Sequence, residues 1–333
     1  MAELSKLATP KLLSSEEIVS GLLALPSLVE TSVDEVDHVI IYGASGTGKT
    51  TLAGLLAEFF HILWFDGDKG MTALIHNLPV ELVSRIHPIK IPDTPLNPIM
   101  VSTMLRAITG RQTEICLAHG IVSCPMCISN TAKKVTVAIN TLPKNWVVIM
   151  DSQSQFVASA LALSYYKVNP QMIGKESDEY WRGVKDEMFA YWGGARNVVE
   201  KFGSYVKDLR CQFIAISHEL FITEGTGVNE RVKSIVPIAG SEAASVNYAR
   251  YYGTEIHAKL MNYQHKFISS TTYSLTEQAK SRSNIKLEEK KVPSLIHIFR
   301  PKEAEELLKG SYNEWFFSDR KLPQPKPKEI LQP

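Results

Sequence analysis

Short apolar runs punctuate this chain at intervals, with longer stretches of helix-like spacing between them. Five runs read as strands: His38-Val39-Ile40-Ile41-Tyr42, His61-Ile62-Leu63-Trp64-Phe65, Ile86-His87-Pro88-Ile89-Lys90-Ile91, Trp146-Val147-Val148-Ile149-Met150 and Cys211-Gln212-Phe213-Ile214-Ala215-Ile216. Near-continuous apolar runs of this length suit strands buried on both faces. Pro88 has no N–H for a ladder, which places the third strand near an edge. Thr51–Phe60, Ile99–Ile108 and most of Glu176–Leu209 read as helices. The aromatics of the last stretch (Tyr180, Trp181, Phe189, Tyr191, Trp192) suit core or interface. Strands alternating with helices predict an α/β fold with a mostly parallel central sheet covered on both faces.

The same pattern divides the chain. Residues 1–36 read as a helical lead-in, with Ser14-Ser15-Glu16-Glu17 as a helix start before Ile18–Leu23. Residues 37–275 form the core, interrupted by a cysteine-rich insertion at 110–144. A β-like stretch follows at Lys266–Tyr273. Residues 276–333 make a basic segment ending in a Pro/Lys-rich tail, Leu322–Lys328, expected to be extended. There is no internal repeat.

Composition changes this picture little. The 333 residues are 44% hydrophobic and 21% charged, ordinary for a soluble globular protein. With a net charge of +1, global charge neither supports nor excludes a nucleic-acid partner. Locally, Lys280, Arg282, Lys286, Lys290 and Lys291 face only Glu288 and Glu289, and a run of this kind is commonly a solvated surface. No apolar run is long enough for a bilayer, and the N-terminus does not read as a signal peptide. A cytoplasmic protein is expected.

Between the first strand and the first helix stands Gly43-Ala44-Ser45-Gly46-Thr47-Gly48-Lys49-Thr50, which fits G-x-x-x-x-G-K-[ST] at every fixed position. Glycines let the backbone wrap a polyphosphate closely, so that N–H groups of the loop and of Thr51 at the helix start face the anion. Lys49 is then expected to reach the β/γ-phosphates of ATP, and Thr50 to offer its hydroxyl to Mg²⁺. Other polar residues gather at the carboxyl ends of the strands, where open α/β sheets bind ligands. They are Asp66-Gly67-Asp68, Asp93, Asp151-Ser152 and Ser217-His218-Glu219. Asp151 follows four apolar residues and is expected to hold Mg²⁺ directly or through water.

Cys116-x₂-His119-x₄-Cys124-x₂-Cys127 supplies four zinc-type ligands in two short pairs. Soft thiolates and an imidazole suit a closed, structural tetrahedral zinc site in a knuckle-sized loop. A redox Cys124/Cys127 pair and unligated thiols are the alternatives, though no thioredoxin-like pattern surrounds them. After Glu219, Phe221–Lys233 holds two glycines and two cations. It reads either as a loop that orders on single-stranded DNA or as a plain surface loop.

Together, Gly43–Thr50, Asp66-Gly67-Asp68, Asp151-Ser152, Ser217-His218-Glu219 and Ser281–Glu288 make the chain resemble phage-type RecA-like ATPases associated with single-strand annealing and recombination, over about residues 37–300. The Asp-Ser pair differs from the Asp-Glu usual in ring-forming AAA-type ATPases. The resemblance implies a RecA-like P-loop NTPase with a small zinc-knuckle-like insertion, acting on single-stranded DNA. It further implies self-association as a ring or filament, replication or recombination proteins as partners, and a host cytoplasm if the chain is phage-encoded. It gives His218 the role of γ-phosphate sensor, with a structural strand-end histidine as the alternative. It also sends Lys280 and Arg282 to a neighbouring subunit's nucleotide, unless they touch only DNA phosphates or water. The water-activating Glu of that family is missing after the third strand, leaving Asp93 or Asp68 as substitutes. Two rivals follow: a ring-forming helicase or helicase loader, and a nucleotide-gated scaffold with little turnover.

Overall fold

The computed structural model describes residues 36–111, 113–116, 118–124, 134–168, 188–262, 264–268, 280–281, 294–318 and 330. The lead-in helix, Tyr180, Trp181, Cys127, Arg282 and the Pro/Lys-rich tail fall outside these. For Phe189, Tyr191 and Lys280 only the backbone is described.

Thirteen strands are present among the described residues: β1 (His38–Tyr42), β2 (His61–Asp66), β3 (Ile86–Lys90), β4 (Thr113–Cys116), β5 (Ile121–Val122), β6 (Lys134–Val137), β7 (Trp146–Asp151), β8 (Gln212–Ser217), β9 (Glu219–Glu224), β10 (Arg231–Pro237), β11 (Thr254–Met261), β12 (Gln264–Ile268) and β13 (Lys280–Ser281). The α-helices are α1 (Lys49–Gly54, prolonged by a 3₁₀ turn over Leu55–Glu58), α2 (Thr72–Asn77), α3 (Val80–Val83), α4 (Met100–Ile108), α5 (Gln153–Val168), α6 (Met188–Lys207), α7 (Glu242–Tyr248), α8 (Ile296–Phe299), α9 (Ala304–Leu308) and α10 (Tyr312–Phe317).

The main sheet runs β12-β11-β1-β8-β7-β2-β3-β5-β4-β6, with β13 also pairing β11. From β11 to β3 all pairs are parallel. This matches the expected mixed α/β fold with a large, mostly parallel sheet. The five expected strands form within a residue of their expected bounds; β1, β2, β7 and β8 are runs of apolar side chains buried on both faces, whereas β3 buries only Ile86 and Ile89. Pro88 is tolerated because β3 is the last strand of the parallel block: its outer side meets β5 only at Lys90↔Ile121.

Alternate residues of each strand enter opposite cores. Ile40, Phe65, Met150 and Phe213 pack against Met104 of α4, Phe156 of α5 and Phe202 of α6. Ile41, Trp64, Ile149 and Ile216 pack against Leu52 of α1, Phe59 and Leu74. The C-terminal segment adds to the second core through Ile296, Phe299 and Tyr312. It is tied there by the buried Glu58 carboxylate, which accepts from the Tyr312 N–H (2.6 Å), the Asn313 N–H (2.8 Å) and Asn313 Nδ2 (2.7 Å). Charge-assisted bonds of this kind satisfy a carboxylate withdrawn from water.

Two features refine the expected layout. The cysteine-rich segment at 110–144 contributes β5, β4 and β6, which extend the main sheet itself. The second is that Phe221–Lys233, expected to be a loop, is not one. It is most of an antiparallel ribbon, β9 with β10, in which Glu219 pairs Pro237 and Glu224 pairs Arg231. Its alternating residues bury Ile222 and Val236 on one face while leaving Phe221 and Val232 exposed on the other.

Candidate nucleotide and metal sites

The loop after β1 closes tightly over the neighbouring strand. A Cβ at Gly43 would lie 2.1 Å from the Ala258 carbonyl oxygen of β11, so only glycine fits. Gly48, at φ 87°, turns the chain into α1 from the left-handed region. Ala44, Ser45 and Gly46 face solvent, while the Thr47 hydroxyl donates to the Ala44 carbonyl (2.9 Å). Lys49 is buried and donates its Nζ to the carbonyls of Gly43 (2.8 Å) and Ala44 (2.7 Å), inside the curve of the loop. Thr51 follows in the first turn of α1.

Thr50 and Asp151 come together although β1 and β7 are not neighbours: β8 lies between them. The Thr50 hydroxyl stands 3.5 Å from Asp151 Oδ2. Burial, then the nearby Asp66 and Asp68, push the Asp151 carboxyl up to about 7, against Lys49 and the Thr50 hydroxyl, which pull it down. Burial also raises Asp66, whose Oδ1 has no partner among the described residues. The β2 end is pinned to β7 by the Gly67 N–H on the Asp151 carbonyl (2.6 Å). Burial lowers the Lys49 amine, with Asp151, Glu219 and Asp68 opposing. Three carboxylates, Asp151, Glu219 and Asp68, therefore act on one amine. A polyphosphate brought to this loop adds further negative charge, so the donor set calls for a divalent cation beside it. Thr50, Asp151 and the unpartnered Asp66 oxygen are the hard oxygen ligands Mg²⁺ prefers.

His218, just past β8, places Nε2 3.6 Å from Asp68 Oδ2, with both side chains partly exposed towards the loop. Its backbone N–H donates to Ser154 Oγ of α5 (2.9 Å). Ser152, the second half of the Asp-Ser pair, accepts the Gln155 N–H (3.2 Å) and so caps α5. Asp93 is differently employed. Its carboxylate accepts from the Met100 N–H (2.6 Å), Gln155 Nε2 (2.7 Å) and Ser159 Oγ (3.0 Å), fastening the start of α4 to α5. Lys280 lies at the other side of the sheet, paired by its backbone with Glu255 of β11.

Two site residues escape a reading of motifs. Asp66 stands one glycine before Asp68 and differs from it only in being buried. Glu219 begins β9 and bonds the buried His257 of β11 (2.9 Å), whose ring stacks on Tyr42 at 4.6 Å. The polar residues alternating through Thr254–Lys259 were the available signal for that strand.

At the far end of the sheet, Cys116 closes β4, His119 sits in the turn and Cys124 follows β5. The ligand atoms of these three lie within 4.8 Å of one another. His119 Nδ1 is 3.5 Å from Cys116 Sγ and 3.6 Å from Cys124 Sγ. Bonds of about 2.3 Å to sulfur and about 2.05 Å to nitrogen at a tetrahedral angle give an S···N edge of roughly 3.6 Å, so the three residues fit zinc. Of the other two cysteines, Cys127 lies outside the described residues and Cys211 is buried elsewhere, where burial pushes its thiol up to about 12.

No protein-family model matches the chain, and no curated protein matches it. Among solved structures, the chain is similar to a prototypical ATPase from the type III secretion system of pathogenic bacteria, at 13% identity and a TM-score of 0.35 over 67% of this chain and 52% of that one. The chain thus spans about half the length of that ATPase, and a likeness this distant adds nothing to the argument from the site. Among the described residues, no helix is long and apolar enough to cross a membrane.

Proposed function

We propose that the protein binds and hydrolyses ATP with Mg²⁺ at the carboxyl edge of its sheet, in the service of single-stranded DNA. The observation that carries this is the meeting of the Gly43–Thr50 loop with Asp151, Asp66 and Asp68, contributed by two other strands. The loop N–H groups and Lys49 bind and orient the phosphates. Thr50 and Asp151 hold Mg²⁺, which when bound offsets charge on the transferring phosphoryl group. Asp68, steadied by His218, is better placed than Asp93 to orient water, because both Asp93 oxygens already accept hydrogen bonds. His218 contacts the γ-phosphate side of the site.

The ribbon starts one residue after His218 and exposes Phe221, with Arg231 and Lys233 also exposed and ion-paired to Glu224 (2.6 Å and 3.9 Å). An exposed aromatic and cations that a phosphate could draw from Glu224 would suit an unpaired base, so this ribbon is the proposed contact for single-stranded DNA. Self-association would bring Lys280 and Arg282 to a neighbouring nucleotide, and Cys116, His119, Cys124 and Cys127 would hold a structural zinc. A nucleotide-gated scaffold is the second reading, favoured by the engagement of Asp93.

The test is ATP hydrolysis by the full chain with and without single-stranded DNA, beside a Lys49→Ala variant. Turnover stimulated by DNA, and at least about 100-fold lower in Lys49→Ala, is expected. ATP binding without turnover in either condition transfers the assignment to the scaffold. The same preparation, made without added metal, is expected to carry close to one zinc per chain.

A further inference from the structure

The amino end of the sheet holds a cluster that nucleotide chemistry does not use. His61 opens β2, Trp146 opens β7, and the two are register partners. His87 of β3 pairs with Leu63, two residues beyond His61, so all three side chains share one face of the sheet. Trp146 lies against both imidazoles, with ring centroids 5.0 Å from His61 and 5.1 Å from His87. His61 Nδ1 and His87 Nε2 face each other at 3.4 Å. That is long for a hydrogen bond, whose usual donor–acceptor distance is about 3.0 Å. It equals the separation expected of two ligands on one ion: M–N bonds of about 2.05 Å at a tetrahedral angle set the nitrogens roughly 3.4 Å apart.

We propose that His61 and His87 form a second metal site, taking an imidazole-preferring divalent ion of the zinc, nickel and copper class, with water completing the coordination. Imidazole suits these ions, whereas Mg²⁺ and Ca²⁺ require oxygen. Access is open from solvent, since His87 is exposed and His61 is half-buried. Arg85, the cation closest along the chain, donates to the carbonyls of Ala57 (3.2 Å) and Glu58 (2.8 Å); burial, and then the Arg85 charge, lower the His61 imidazole. Trp146 packs against both rings, inclined to them by 25° and 30°, and so would wall one side of the ion. Bound there, the ion would cross-link the starts of β2 and β3 and stabilise the folded state by mass action. The site stands on its own geometry and does not depend on the reading of the opposite edge.

Ni²⁺ tests it, because a nickel ion beside Trp146 quenches that indole. The full chain, first given one equivalent of Zn²⁺ to occupy the thiolate site, is titrated with Ni²⁺ while tryptophan emission is followed. Saturable quenching is expected in the unsubstituted chain, with the quenched component missing in Trp146→Phe. His87→Gln, at an exposed position where circular dichroism is expected to stay unchanged, should weaken the apparent affinity by at least about tenfold. His61→Gln should do the same, and if that variant fails to fold, His87→Gln alone decides. Quenching that keeps its midpoint in His87→Gln, or that survives in Trp146→Phe, overturns the site.

Discussion

The two ends of the same strands are built on opposite principles. At the carboxyl ends of β2 and β7, Asp66 and Asp151 are buried side by side, with Asp68 next to them and Lys49 the countering amine. At the amino ends of β2, β3 and β7, the rings of His61, His87 and Trp146 pack on one another instead. Between these ends β2 and β7 are apolar and covered, whereas β3 leaves His87, Pro88 and Lys90 exposed. The difference teaches that the carboxyl edge holds electrostatic tension which a bound cation relieves, whereas the amino edge is at rest. A protein maximising stability alone would have no reason to gather carboxylates out of water.

Three substitutions sharpen or break this contrast. The largest effect belongs to Gly43→Ala. Its Cβ meets the Ala258 carbonyl oxygen at 2.1 Å, so β11 or the loop must retreat. A loss on the order of 3 kcal/mol, seen as a melting temperature roughly 5–10 °C lower, is expected together with loss of nucleotide binding.

Asp151→Asn is expected to act in the other direction. The Asp151 carboxyl, raised to about 7 from an ordinary value near 3.8, binds its proton more tightly folded than unfolded. Folding therefore takes up a proton between those values, and stability falls as pH rises through that window. Without Mg²⁺ at pH 8, the Asn variant should melt several degrees higher, a gain on the order of 2 kcal/mol, and the gain should vanish near pH 4. Equal melting temperatures at pH 8 would mean that the carboxylates are not in tension. Trp146→Phe, at the relaxed end, should cost about 1 kcal/mol or less in a thermal melt, with little pH dependence.

Much of this was legible in the sequence, for identifiable reasons. Doubly buried strands announce themselves as apolar runs, and a phosphate loop is contiguous, so neither needs long-range information. Where partners are distant in sequence, the reading fell short. Asp93 looks like any acid at a strand end; only its bonds to Gln155 and Ser159, more than sixty residues away, show that it fastens two helices. β11 was passed over because Glu255 and His257 break its apolar run, yet both are buried. The ribbon was hidden by Gly225 and Gly227, which suggest a loop although Leu220–Thr223 and Val232–Val236 are rich in the β-branched and aromatic residues that favour strands. Cys116, His119 and Cys124 were found by spacing, whereas their place on a strand that prolongs the main sheet was not.

The base of the β9–β10 ribbon has an evolutionary consequence. The chain leaves the sheet after Ser217 and is recovered at Ile238, whose N–H is bonded both to the His218 carbonyl (3.0 Å) and to the Ser217 hydroxyl (3.1 Å). Entry and exit share one hinge point, so the excursion can lengthen, shorten or be exchanged for another without disturbing the strand order beneath it. Descendants of this chain could change what they touch by rewriting the residues beyond Glu219, while the loop and strands that carry Lys49 and Asp151 are inherited intact.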